Sequence, residues 1–148
     1  MSNPRVPQPL FPYRHVLDVQ LRFNDADLFG HVNNSVYLQF FDLAKFDYFR
    51  TVTGEGFEIK DIALVVVNIN CDFFAPSFIE EKLQVKTATI KIGDRSLVIE
   101  QRILSPETEE VKCVGRTVMA GFNLATNTSA SIDANSRAHI ETYEGREL

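Results

Sequence analysis

From Asn34 to about Val52 the chain carries apolar side chains around most of a helical circumference. Tyr37, Phe41, Ala44 and Tyr48 recur at the spacing of one helix face, while Val36, Phe40, Leu43, Phe46 and Phe49 fill much of the rest. A helix this apolar is predicted to be a buried central rod enclosed by its own protein. Asn33 or Asn34 suits its N-cap, and Thr53-Gly54-Glu55-Gly56 stops it with two glycines.

The chain beyond the helix supplies the wrapping. Ile62 to Phe74 is a long, valine-rich apolar strand, broken by Pro76. Leu83 to Ile92, Ser96 to Leu104 and Val111 to Leu124 read as three more strands, separated by a Gly93-Asp94 turn and the polar turn 105–110. Ahead of the helix, Leu17, Val19, Leu21 and Phe23 alternate on one face of a first strand. The expected class is therefore α+β, with an antiparallel sheet of about five strands wrapped around one long central helix. The last four strands are expected to form a meander. Such a sheet leaves bare edges and an outer face, so self-association is expected.

Residues 1–14 form a proline-rich arm, with Pro4, Pro7, Pro9 and Pro12 disfavouring helix and ladder alike. The globular domain spans 15–124. Residues 125–148 form a tail with a short helix, Asp133 to Tyr143, that Ser131 can cap. At 148 residues the length fits one domain. A formal charge of −5 argues against broad nucleic-acid or anionic-membrane binding, which need a basic field. The 12 phenylalanines, with no tryptophan, suit an aromatic core or an apolar ligand tunnel. Cys71 and Cys113 sit in strand-like runs and read as buried thiols. No apolar run approaches the ~20 residues of a membrane span, and no hydrophobic targeting segment opens the chain. A cytoplasmic protein is expected.

The chemistry concentrates between the first strand and the helix, where residues 22–34 read Arg-Phe-Asn-Asp-Ala-Asp-Leu-Phe-Gly-His-Val-Asn-Asn. Two carboxylates, an imidazole and two amides on a strand-to-helix loop are what an active site needs. Asp25 and Asp27 can also be plain Asx-turn residues. His31, beside a helix start where positive charge is disfavoured, reads as neutral and orienting. No Gly-x-Ser-x-Gly elbow is present, neither cysteine has a histidine neighbour in sequence, and no metal or other cofactor is expected.

The pattern Asp25-x-Asp27-x-x-Gly30-His31-Val32-Asn33-Asn34-x-x-Tyr37 resembles the hotdog-fold acyl-CoA thioesterases, closest to their 4-hydroxybenzoyl-CoA thioesterase-like branch. The resemblance continues through Phe74 and Pro76 and the hairpin from Gly93 to Val98, covering roughly 16–124. It implies that Asp27 is catalytic, as nucleophile or general base. It also implies that amides near Gly30, His31 and Val32 hold the thioester carbonyl. The Glu-x-x-Arg pattern usual on the helix is filled by Asp42 and Lys45, a departure.

The residues can meet what thioester hydrolysis requires. Asp27 would need partial desolvation, for which Leu28 and Phe29 are the neighbours at hand. Helix-start amides and the macrodipole favour an oxyanion. The substrate expected is a small or fatty acyl-CoA, or an acyl-carrier protein, with Asn34, Tyr37 and Arg95 as further binding candidates. A homodimer or homotetramer is expected. The competing reading is a hotdog protein that binds acyl thioesters without cleaving them; a hydratase or dehydratase ranks behind both.

Overall fold

Asn33 caps the long helix: its side-chain oxygen accepts the Ser35 N–H at 3.2 Å. In the computed structural model, which describes residues 3–58 and 63–148, α1 runs Asn34–Thr53. It ends at Gly54, whose φ of 80° favours glycine and whose N–H closes on the Arg50 carbonyl. The strands are β1 (His15–Val19), β2 (Leu64–Phe73), β3 (Leu83–Ile92), β4 (Ser96–Leu104), β5 (Val111–Asn123) and the two-residue β6 (Thr128–Ser129). All pairings are antiparallel, in the order β1-β3-β4-β5-β2, with β6 added to β5. A second helix, α2 (Ala134–Glu144), completes the fold.

Three expectations about the bounds and pairing of these elements need correction. The four later strands are not a simple meander. β3, β4 and β5 are, but β2 pairs β5 on the far edge rather than β3. Alternation identifies a strand, not its neighbour, and loop 74–82 is long enough to cross the sheet. The first strand ends at Val19, and Phe23 lies in a 3-10 turn (Phe23–Asp25), 90 % exposed. The Asp25 carboxylate takes the Arg22 N–H and pulls the chain out of the sheet. Finally, Asp133 rather than Ser131 caps α2, accepting the Ser136 N–H at 3.2 Å. Ile62, expected to begin the second strand, lies outside the described residues.

The sheet curls around one side of α1. Val36, Tyr37, Phe40, Phe41, Ala44 and Tyr48 are buried against Val85, Ile99, Ile103 and Cys113. Contact is closest at Gly115, where a Cβ would stand 2.7 Å from the Phe41 ring. Gly115→Ala is accordingly expected to cost about 1–3 kcal/mol by overpacking, read as a lower urea midpoint. The rod is not enclosed all round, since Leu43 is 52 % exposed. One curled sheet covers only one side of a cylinder.

The two sheet edges are treated differently. Beyond β1, the free edge of β3 is closed by the end of α2. The Glu144 carboxylate accepts the Thr89 N–H at 3.1 Å, and Arg146 reaches the Thr89 carbonyl at 3.4 Å. Among the described residues nothing pairs the outer edge of β2, and Val66, Val67, Ile69 and Phe73 are exposed. The arm straps the outer face of the sheet. Tyr13 meets buried Glu100, Arg102 reaches both the Tyr13 hydroxyl and the Pro7 carbonyl, and Arg116 pairs Glu100 at 2.9 Å. Burial first, and then Glu100, push the Tyr13 hydroxyl well above its ordinary titration range. Both cysteines are free thiols, Cys113 buried and Cys71 half-buried. Among the described residues no helix is long and apolar enough to cross a membrane.

Candidate active site

The loop between β1 and α1 is built on Asp25. Its buried carboxylate takes the Arg22 backbone N–H at 2.8 Å and the Arg22 guanidinium at 3.0 Å, and its carbonyl accepts the Asn33 N–H at 2.8 Å. Desolvation pushes this carboxyl up, but the Arg22 hydrogen bonds and charge outweigh it and hold the group below the usual carboxylate range. A depressed carboxyl contributes stability that is complete above its unfolded value of about 4 and lost as pH falls through the lower folded value. Thermal unfolding should therefore show an acid limb below about pH 4 that is shallower in Asp25→Asn.

Asp27 turns the chain. Its N–H donates to the His31 carbonyl at 2.7 Å, and its carbonyl accepts the Gly30 N–H at 3.0 Å. Gly30, at φ 78°, supplies the left-handed residue this reversal needs. Asp27 Oδ1 accepts the N–H groups of Phe29 and His31, at 2.9 and 3.2 Å. Among the described residues Oδ2 has no hydrogen-bond partner. The carboxylate is thus anchored by one oxygen and free at the other.

Asp27, His31, Val32, Asn34 and Tyr37 line one open cavity, with Phe73, Phe74, Ala75 and Pro76 on its other wall. The His31 ring stands edge-on to Phe78 at 5.0 Å. Tyr37 is buried and donates to Ser77 Oγ at 2.8 Å; burial raises its pKa and keeps the phenol neutral.

The three amides expected to hold the thioester carbonyl are all engaged. Gly30 donates to the Asp27 carbonyl, His31 to Asp27 Oδ1, and Val32 to the Ser77 carbonyl at 2.7 Å. Asn33 and Ser35 are spent as well, on the Asp25 carbonyl and the Asn33 side chain. Among the described residues the Asn34 N–H, at the first position of α1, has no acceptor. The open donor therefore lies two residues beyond the expected set. Ser77, which fixes Val32 and Tyr37 at once, gives no local sign of this role, for it lies 40 residues from Tyr37. Leu28 and Phe29 do not shield Asp27: they are 95 % and 80 % exposed.

Arg95 is elsewhere in the chain. It sits in the β3–β4 turn, donates to Ser129 Oγ at 3.1 Å and is exposed. The register of β5 separates the Cys113 end, beside Phe73, from the Ala120 end, beside Ser96, by seven residues. At about 3.3 Å per residue that is about 23 Å. Asp42 and Lys45 pair with each other at 3.1 Å on α1, with Lys45 buried.

A family model described as the thioesterase-like superfamily matches residues 21–140, which includes the Asp27 loop, α1 and all strands from β2 to β6. The chain belongs to this superfamily. The chain is 26% identical over 125 residues to the long-chain acyl-CoA thioesterase FadM of Escherichia coli K12, covering 83% of this chain and 94% of that protein. It is 29% identical over 105 residues to the acyl-CoA thioesterase YbgC of Haemophilus influenzae, covering 65% of this chain and 77% of that one. Among solved structures, a thioesterase from Thermus thermophilus, complexed with coenzyme A and Zn, superposes with a TM-score of 0.82 at 26% identity. That match covers 92% of this chain and 98% of the other. Among the described residues no group of three or more His, Cys, Asp or Glu side chains is placed to hold a metal ion.

Proposed function

We propose that this protein is an acyl-CoA thioesterase in which Asp27 drives attack on the thioester carbonyl and the Asn34 N–H receives the oxyanion. One observation carries the reading. A carboxylate with one anchored and one free oxygen shares a cavity with the only unspent amide at the described start of α1. Two routes use these groups. In the first, Oδ2 attacks the carbonyl carbon, the carbonyl electron pair moves to oxygen, and collapse expels the coenzyme A thiolate. The mixed anhydride left on Asp27 is then hydrolysed. In the second, Oδ2 takes a proton from water as that water attacks, and collapse of the adduct breaks the C–S bond and expels the coenzyme A thiolate, which can take up that proton. In both, charge develops on the oxygen facing Asn34, where the helix macrodipole adds to the hydrogen bond. One such donor is worth roughly 3 kcal/mol of transition-state stabilisation. His31 orients the loop through its backbone bonds to Asp27. The names of FadM and YbgC support an acyl-CoA substrate, and an acyl-carrier protein presents the same thioester to the same two groups.

The reading includes a second copy of the chain. The bare β2 edge and the exposed Leu28, Phe29 and Phe73 beside the site call for a cover. A two-fold axis through the middle of β2 would continue the sheet antiparallel. It would also bring the partner's β3–β4 turn, with its Arg95, toward the Asp27 end. There Arg95 can meet a phosphate of coenzyme A. A homodimer is the smallest assembly meeting this requirement, and pairing of dimers to a tetramer is compatible with it.

The solvent-facing position of Asp27 favours a second reading, binding without cleavage, because an open carboxylate is a weak base. Thiol release across acyl-CoAs of increasing chain length, with thermal-shift binding in parallel, decides between them. Release supports the thioesterase. Binding across the panel with no release supports the binder.

A further inference from the structure

The cavity wall opposite α1 is loop 74–82, which no regular ladder holds. It is tied at two places. On the site side, the Ser77 carbonyl takes the Val32 N–H and the Ser77 hydroxyl takes the Tyr37 proton, while Phe78 bridges to the His31 backbone. On the other side stands Lys112, at the start of β5. Its carbonyl accepts the N–H groups of Phe74 and Ala75, at 2.8 and 3.3 Å. Its side chain is 2 % exposed, and the ammonium meets the Pro76 carbonyl at 3.1 Å, Glu81 Oε2 at 2.9 Å and Glu110 Oε1 at 2.5 Å. Three N–H donors thus meet three acceptors. Desolvation alone would lower the lysine pKa, but the two carboxylates reverse this and keep it charged.

A buried ion pair adds little net stability over a well-packed apolar side chain. This one holds a single carbonyl in the wall of the site. The peptide unit is planar, so fixing the Pro76 oxygen also fixes the Ser77 nitrogen and the direction in which Ser77 leaves. The proline ring removes the remaining freedom in φ at residue 76.

We propose that Lys112 is a positioning residue for thioester cleavage. It anchors Pro76 so that Ser77 and Phe78 hold Val32, Tyr37 and His31, and through His31 the Asp27 carboxylate, in register with the Asn34 amide. The proposal rests on the reading of Asp27 and Asn34 given above. A displacement of about 1 Å between reacting groups can cost on the order of 100-fold in rate. Lys112 touches neither substrate nor reacting atoms, so its effect falls on kcat rather than on substrate affinity.

The test uses Lys112→Met, which keeps the length and loses the charge, and Lys112→Arg, which keeps the charge. In Lys112→Met, kcat is expected to fall ~10- to 100-fold with KM within about threefold, and Lys112→Arg is expected to recover much of the loss. Hydrogen exchange at the Val32 amide, whose acceptor is Ser77, is expected to quicken about tenfold or more in Lys112→Met. Ile140→Val, a core change on α2 away from the site, is the stability control and should reproduce neither effect. If Lys112→Met does not fold, Glu81→Gln takes its place. That variant can still accept the Phe78 N–H, now 3.1 Å from Oε1, while losing the negative charge that faces the ammonium. It should lower kcat severalfold and speed Val32 exchange. Values of kcat and Val32 exchange within about twofold of wild type in the folded variant overturn the proposal. So does a kcat loss matched by Ile140→Val at equal loss of stability. Absence of thioester cleavage by the wild-type protein would sink the reading of the site and the catalytic role of Lys112 with it; Val32 exchange would still decide whether Lys112 holds the loop.

Discussion

Asp27→Asn should lower kcat on any cleaved acyl-CoA by at least about 1000-fold, while the melting temperature moves by no more than about 2 °C. The two halves of this result have separate causes. Asparagine keeps a side-chain oxygen that can accept from Phe29 and His31, the two bonds that shape the loop. It replaces the unpartnered oxygen by an amide nitrogen that can neither attack a carbonyl nor take a proton. Asp27→Ala removes both oxygens, so it should lose the same activity and also loosen the turn. Steady-state thiol release and thermal unfolding measured on the same preparations separate these effects. Full activity in Asp27→Asn would remove Asp27 from the mechanism.

Val67→Lys should convert the proposed β2-edge dimer to monomers at micromolar concentration and take the activity with it. Val67 falls at the register shift in β2, between Val66 and Asn68, and has no partner on β5. It is also 59 % exposed, so a lysine there disturbs the single chain little. Close to a two-fold axis through β2, however, two lysines would face each other. Juxtaposed like charges cost several kcal/mol, enough to weaken association by ~100-fold or more. Sedimentation or light scattering at several concentrations reads the outcome, and an unchanged assembly would place the interface elsewhere than β2. Activity of Val67→Lys that returns as concentration rises would tie the site to the assembled form.

The parts of this molecule legible in the sequence are those whose causes are local. Helix α1 begins at a cap and ends at a glycine, and both ends fall within a residue or two of expectation because those signals act over one turn. Asp27 stands out because its loop concentrates ionisable groups between two regular elements. Legibility fails wherever a distant segment decides the outcome. The amide of Val32 looks available until Ser77, from the loop before β3, takes it, and so the free donor moves to Asn34. Phe23 alternates as the next strand residue, yet the buried Asp25 turns the chain first. The place of β2 at the sheet edge comes from a crossing that alternation cannot encode. Lys112 reads as one more strand lysine, and only the convergence of Pro76, Glu81 and Glu110 distinguishes it.

The closure of the β3 edge by Glu144 and Arg146 bears on how the chain avoids aggregation as it forms. Thr89 waits for a carboxylate 55 residues further along, so β3 can finish its ladder with β4 while part of its other side is still an open template. During that interval intramolecular docking of α2 competes with capture by any other unpaired strand. Slowing that docking, by weakening the Tyr48–Glu144 hydrogen bond for instance, would lower the yield of refolding at high protein concentration far more than at low.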